Sequence, residues 1–228
     1  MIEVDLLGKV VVVTGAGGRL GSRLVHRFAD QGATIAAIVR SEQQARDIPF
    51  PPNAEGWAFP ADVTNEKMVE TTFKQIVDQF GRIDVLIHAV GMWKSNPMHD
   101  TSLEEWDKIT SVNLRSAFLC FREAVRVMRV REGGRIIGFS ALHGLEKGRA
   151  GQAAYSASKA GIIRLIESVA SEYREQNVKA FAIAPSTILF SGKSEGEGVS
   201  VDQIIDLCLY LCTPSADALN GSTLRVDR

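Results

Sequence analysis

The sequence predicts an α/β fold, a single doubly wound parallel sheet with helices on both faces. Three observations predict it. Short runs that are apolar on both faces alternate with stretches of helical periodicity along the chain. The first such run, β-branched throughout, feeds directly into a cluster of glycines. No linker, internal repeat or low-complexity tract breaks the alternation. Strands apolar on both faces must be covered on both sides, and helices between them supply the crossovers that parallel neighbours need. Those crossovers are right-handed, which places the ligand crevice at the carboxyl ends of the strands, where the strand order reverses.

The elements follow in order. Lys9–Thr14 (KVVVVT) is the first strand. Arg19–Gln31 is a helix, with Leu20, Leu24, Val25 and Phe28 on one face. Ala33–Val39 and the shorter Trp57–Pro60 are the second and third strands. Asn65–Phe80 has helical spacing through Met68, Val69, Phe73, Ile76 and Val77, with Asn65 placed as its N-cap. Ile83–His88 is the fourth strand, and Leu103–Val130 reads as helical throughout, with a break expected near Thr110–Val112. Arg135–Phe139 is a fifth strand, Gln152–Glu175 a long helix, and Val178–Ala184 a sixth strand. Ser191–Ser200 is polar and Gly-rich and reads as a mobile surface loop. Val201–Cys212 is a helix and Thr223–Val226 a last short strand.

A chain of 228 residues suits one domain, residues 1–228, and its 45% apolar content fits a globular protein with a large core. A net charge of −1 offers no basic excess for nucleic acid. No apolar run approaches the ~18 residues that span a bilayer. The opening MIEVDLLGK lacks the charged-then-apolar layout of a secretory signal, so a cytoplasmic protein is expected. Cys120, Cys208 and Cys212 read as small apolar fillers in a reducing compartment. Cys208 and Cys212 have no further Cys or His beside them, and no metal site is expected.

Thr14–Gly21 reads TGAGGRLG, directly after the first strand and opening the first helix. Gly15, Gly18 and Gly21 permit a sharp turn and a close approach of backbone to a pyrophosphate, and the helix N-terminus at Arg19 and Leu20 offers free N–H groups. Strand before and helix after make this a dinucleotide-binding turn, and the fold a Rossmann type. The second strand ends Ile38-Val39-Arg40-Ser41, without the carboxylate that would bind ribose hydroxyls and repel a 2′-phosphate. Arg40, with Arg19 in the neighbouring loop, can pair with that phosphate, so NADP is expected over NAD.

Tyr155 and Lys159 stand at i and i+4 on one helix and face the same way. A free phenol, with a pKa of about 10, is a poor acid or base at neutral pH. An ammonium beside it stabilises the phenolate and makes Tyr155 a usable general acid/base.

The ordered set of motifs resembles the short-chain dehydrogenase/reductase family: TGAGGRLG, Asp62-Val63, His88-Ala89-Val90-Gly91, Val112-Asn113, Ser140, YSASK at 155–159, Ala184-Pro185, and a terminal Val226-Asp227. The resemblance covers residues from about 8 to 227. It implies that Tyr155 is the catalytic acid/base, that Lys159 holds the nicotinamide ribose and lowers the Tyr155 pKa, and that Asn113 supports a water chain to Lys159. It places Asp62 and Val63 on the adenine side, and Ala89, Gly91, Pro185 and Ile188 along the cofactor. Related proteins pair their long helices, so a homodimer or homotetramer is expected.

The sequence departs from the family in four places. Arg19 stands where a glycine is usual, and the glycines at 15, 18 and 21 match the spacing of the family's extended branch. The fourth-strand turn is HAVG, not NNAG, and His88 reads as a structural residue ending that strand. The family's catalytic serine is the second of a Ser-Ser pair three residues before a glycine; counted from Gly144 that position is Ala141, and Ser140 matches the first. Successive strand residues face opposite ways, so Ser140 serves only if the backbone shifts, and His143 is the substitute donor. Last, only about fifteen residues separate Pro185 from the helix near Val201, too few for a helical lid, and Ser186 replaces the usual glycine. An open substrate loop over about 186–200 follows.

The leading expectation is therefore an oxidoreductase that moves a hydride between NADP(H) and a small carbonyl or alcohol substrate. A short lid with Ala at the serine position also resembles the dihydropteridine reductases of the same superfamily. The reading from another class is a dinucleotide-binding sensor or scaffold with little turnover, which Ala141 favours and the intact Tyr155, Lys159 and Asn113 oppose.

Overall fold

The computed structural model describes residues 2–52, 54–190 and 198–227. In chain order these form β1 (Val10–Thr14), α1 (Arg19–Ala29), β2 (Thr34–Val39), α2 (Glu42–Arg46), β3 (Gly56–Pro60), α3 (Glu66–Phe80) and β4 (Val85–His88). There follow α4 (Leu103–Thr110), α5 (Ser116–Met128), β5 (Gly134–Phe139), α6 (Leu142–Leu145), α7 (Ala153–Glu172) and β6 (Val178–Pro185). The chain closes with β7 (Ile188–Leu189), β8 (Val199–Ser200), α8 (Val201–Tyr210) and β9 (Thr223–Val226).

The described residues form a seven-stranded sheet in the order β3-β2-β1-β4-β5-β6-β9, parallel at every pairing. The order reverses between β1 and β4, and that switch point opens the crevice. Strand alternation sorts the core. Val11 and Val13 of β1 face one side with Leu24 and Phe28 of α1 and Ile204 and Cys208 of α8. Val12 faces the other with Phe73 and Ile76 of α3, Phe121 of α5 and Ile162 and Ile166 of α7. Both faces are thus dry, and each buried side chain of this size contributes roughly 1.5–3 kcal/mol.

The expected elements are present, with informative differences. Asn65 caps α3, its side chain accepting from Met68 N. β3 is an edge strand, so Trp57 lies half exposed and Pro60 is tolerated where no ladder donor is needed. The 103–130 helix is broken: a π turn over Ser111–Arg115 separates α4 from α5. The extra residue of a π turn rotates Asn113 inward, where it is fully buried. The short α2 and α6 carry too little periodicity to stand out in the sequence. Of the 191–200 segment, residues 191–197 lie outside the described residues; Gly198 joins the cleft wall, and Val199 and Ser200 pair in parallel with Ile188 and Leu189. No helix of the described residues is long and apolar enough to cross a membrane.

Candidate active site

The glycine turn after β1 is shaped by close contact. Gly15 has φ +69°, a left-handed conformation that favours glycine. A Cβ on Gly21 would lie 2.1 Å from the Gly15 carbonyl oxygen, so only glycine lets α1 start against the turn. The N-terminus of α1 has Gly18 as its N-cap, with no side-chain cap and no acidic residue in the first turn. Its amides and its positive dipole end are therefore available to an anion.

At the outer end of this turn Arg40 is exposed. Ser41 caps α2, its hydroxyl accepting from Gln44 N at 3.3 Å, and Gln44 Oε1 accepts from Arg40 N at 3.0 Å. The Gln44 side chain borders Gly17, where a Cβ would lie 3.3 Å from its carbon. Gln44 was missed in the sequence, although Ser41 followed three residues later by Gln is a capping-box spacing. Arg19 stacks on Phe190, 4.1 Å from the ring centroid, and neither Arg19 nor Arg40 has an ion-pair partner among the described residues. Asp62 turns back on its own loop, accepting from Thr64 N and Thr64 Oγ1, while Val63 packs into the core.

A cleft of about 1110 Å³ opens at the carboxyl ends of β1, β4, β5 and β6. It brings together Arg19, Leu20, Ala89, Gly91, Ser140, Tyr155, Lys159, Pro185 and Ile188 of the expected set. Gly15, Gly18, Gly21, Arg40, Asp62, Val63 and Asn113 do not line it. Trp93, Phe190, His143 and Arg149 do, and of these only His143 drew attention in the sequence.

Lys159 is buried, and its ammonium donates to the Phe139 carbonyl oxygen at 2.8 Å. Burial lowers its pKa from 10.5 to about 8. Its Nζ lies 5.9 Å from the Tyr155 ring centroid, and burial pushes the Tyr155 phenol above its usual value. The expected depression of the tyrosine pKa by Lys159 is therefore corrected for this arrangement. Desolvation acts on the phenol first, and the ammonium is turned to a backbone carbonyl.

Asn113 holds the floor of the site. Its Oδ1 accepts from Met92 N at 2.7 Å, and its Nδ2 donates to Met92 O and to Ser158 Oγ, both at 3.0 Å. Ser158 in turn donates to Tyr155 O at 2.7 Å. Asn113 thus joins the turn after β4 to the start of α7. Gly91 fits between: a Cβ there would lie 3.3 Å from Lys159 Nζ. Ser140 is buried, and its hydroxyl donates to Lys159 O at 2.8 Å, so its proton is directed to α7. Ala141 follows it on the cleft wall.

His88 is 1% exposed, between Thr14 Oγ1 at 2.9 Å on Nδ1 and Ser116 Oγ at 3.1 Å on Nε2. Ser116 donates its proton to Val112 O, so Nε2 of His88 carries the hydrogen and Nδ1 accepts from Thr14. Burial, with the Lys159 charge nearby, lowers its pKa to about 3. It is a neutral strut between β1, β4 and α5.

Comparison with known proteins gives a consistent neighbourhood. The short chain dehydrogenase family profile matches residues 9–195. The 3-oxoacyl-(acyl-carrier-protein) reductase FabG of Vibrio cholerae serotype O1 is 30% identical, over 98% of this chain and 98% of its own. Levodione reductase of Leifsonia aquatica is 33% identical over 79% of this chain and 69% of its own. The crystal structure of a levodione reductase superposes with a TM-score of 0.89 and 25% identity, covering 97% of both chains.

Proposed function

The chain belongs to the short-chain dehydrogenase family and is an NAD(P)-dependent oxidoreductase, and from that premise we propose that it reduces the carbonyl of a small molecule with NADPH, through Tyr155 and Lys159. The observation that carries this reading is the convergence of Tyr155, Lys159 and Gly91 on one cleft that also receives Arg19 and Leu20 of the glycine turn. The cradle fits a dinucleotide: Gly15 and Gly21 let the turn close tightly where a Cβ would strike backbone, and the α1 N-terminus, without a side-chain cap or an acidic residue in its first turn, is free to receive an anion. Leu20, Ala89, Pro185 and Ile188 would flank the cofactor, with Asp62 and Val63 toward its adenine. When bound, the reduced nicotinamide supplies the hydride.

The chain's own residues do the rest. The substrate carbonyl carbon is reduced to a carbinol, Tyr155 Oη gives its proton to the oxygen, and water reprotonates the phenolate. Lys159, cationic below about 8 and held on Phe139 O, would be the group to hold the cofactor's ribose, and its charge would stabilise the phenolate once its ammonium turned from that carbonyl. Asn113 holds Met92 and Ser158 so that Tyr155 and Gly91 keep their spacing. Arg40 and Arg19, both without acidic partners among the described residues, favour the 2′-phosphate of NADP. Both named relatives are reductases, one of them of a 3-oxoacyl group. The protein acts in the cytoplasm, where its three free cysteines stay reduced, and as a homodimer or homotetramer.

The test is NADPH oxidation with reactive diketones and quinones. Tyr155→Phe keeps the ring and removes the hydroxyl, so turnover falls by about 10²–10⁴-fold while NADPH affinity holds. Near-wild-type turnover in that variant overturns the reading. A second reading, a dinucleotide-binding sensor with little turnover, draws on Ser140, whose hydroxyl is turned to α7, and on Ala141 beside it; NADPH binding without oxidation of any acceptor would favour it.

A further inference from the structure

The proton and hydride chemistry leaves one wall of the cleft unexplained. Trp93, Leu142, His143 and Arg149 line it together with Tyr155. Arg149 Nη1 lies 3.4 Å from His143 Nε2. A guanidinium only donates, so His143 Nε2 accepts and its Nδ1 carries the hydrogen. The pair therefore presents the remaining Arg149 donors and one imidazole N–H.

Charge on this wall is unbalanced. Arg19, Arg149 and Lys159 are the arginines and lysine lining the cleft, and Asp227 is its carboxylate. Asp227 and Glu146 are both taken by Arg225. Arg19 is stacked on Phe190, and Lys159 is bound to Phe139 O. That leaves Arg149 as the cleft cation with no acidic partner among the described residues and no role in the reduction. Beside it Trp93, 60% exposed, offers a flat apolar face.

We propose that Arg149 and His143 bind a carboxylate on the substrate, whose planar apolar body lies against Trp93 and Leu142 while its carbonyl reaches Tyr155. The substrate is thus an oxo-acid. The single fixed charge of the guanidinium balances one negative charge, which fits a carboxylate and leaves a phosphate dianion half compensated. The planar fork of arginine matches the two carboxylate oxygens. The inference rests on the carbonyl-reductase reading for the reaction, but not for the binding.

The experiment compares aryl oxo-acids of increasing length, benzoylformate, benzoylacetate and benzoylpropionate, with their methyl esters. Two measurements are made: kcat/KM with saturating NADPH, and calorimetric affinity for the protein saturated with NADP. At least one acid exceeds its ester by about tenfold or more in affinity and in kcat/KM, the scale of a charge-assisted hydrogen bond. Arg149→Ala collapses that ratio through KM, and Arg149→Lys restores part of it. NADPH affinity, read separately, reports that the variants fold. An acid that binds in an Arg149-dependent way without turnover sinks the reductase reading and leaves this one standing. Acids that bind no better than their esters, or a ratio unchanged in Arg149→Ala, overturn the inference even where esters are reduced.

Discussion

The hydroxyl of Ser140 donates to the backbone carbonyl of Lys159 at 2.8 Å, buried between the end of β5 and α7. The serine at the tip of the fifth strand therefore steadies the helix that carries Tyr155 and Lys159, and its proton points away from the cleft. Ser140→Ala should lower kcat by less than about tenfold, far below the effect of Tyr155→Phe. It should also cost about 1 kcal/mol of stability, the net worth of one hydrogen bond. Chemical denaturation and steady-state rates on the same preparation check both. A kcat loss equal to that of Tyr155→Phe would give Ser140 a direct role and require its hydroxyl to turn into the cleft.

Cofactor choice rests on Arg40 and Arg19. Arg40→Ala should weaken NADPH by about 1.5–3 kcal/mol and leave NADH unchanged, since only the 2′-phosphate is lost as a partner. Arg19→Ala should weaken both cofactors less selectively, because Arg19 stands in the glycine turn and also stacks on Phe190. Dissociation constants for the two cofactors, measured by fluorescence, decide it. A wild-type preference for NADH would remove the argument altogether.

The helices α4, α5 and α7 leave apolar surface uncovered: Leu103 is 74% exposed and Phe118 46%. Phe118 and Leu165 border a groove with Gly161, whose Cβ, if present, would strike Leu114 at 2.8 Å. Small and apolar residues on this face suit pairing with a second copy. Light scattering at micromolar concentration should give a dimer or tetramer, and Phe118→Glu should shift it toward the monomer while NADPH still binds. A monomeric wild type refutes the expectation.

Much of this was legible in the sequence. The central strands were readable because they are buried on both faces, so Val11, Val12 and Val13 of β1 could all be apolar. The glycine turn was readable because Gly21 has no steric alternative. What was not legible depends on contacts across loops. The approach of Arg149 to His143 requires the turn after α6, too short to show a period. The exposure of Trp57 follows from β3 lying at the sheet edge, a matter of strand order. The inward turn of Asn113 comes from a π turn that a helical reading sees only as a break. The lysine's attachment to Phe139 O, which corrects the simple picture of a phenol activated by its neighbour, needs the backbone of β5 in place.

His88 ties pH to stability. Its folded pKa is lowered to about 3, mainly by burial, whereas an unfolded histidine titrates near 6.5. Between those values the unfolded chain binds a proton that the folded chain refuses. The neutral-histidine contribution is therefore complete above pH 6.5 and is lost as pH falls through the window toward 3. Asparagine offers a donor and an acceptor without titrating. His88→Asn should flatten the pH dependence, with a difference from wild type that changes by on the order of 2 kcal/mol between pH 7 and pH 4.5. Urea unfolding at half-unit steps across that range measures it, and comparing slopes cancels any constant packing loss in the cavity beside Phe121. Parallel profiles would mean that His88 takes up its proton in the folded protein as readily as in the unfolded chain. The Thr14–His88–Ser116 chain would then have to open to accept it, since Nδ1 in the neutral ring receives the Thr14 proton and has no hydrogen of its own to give.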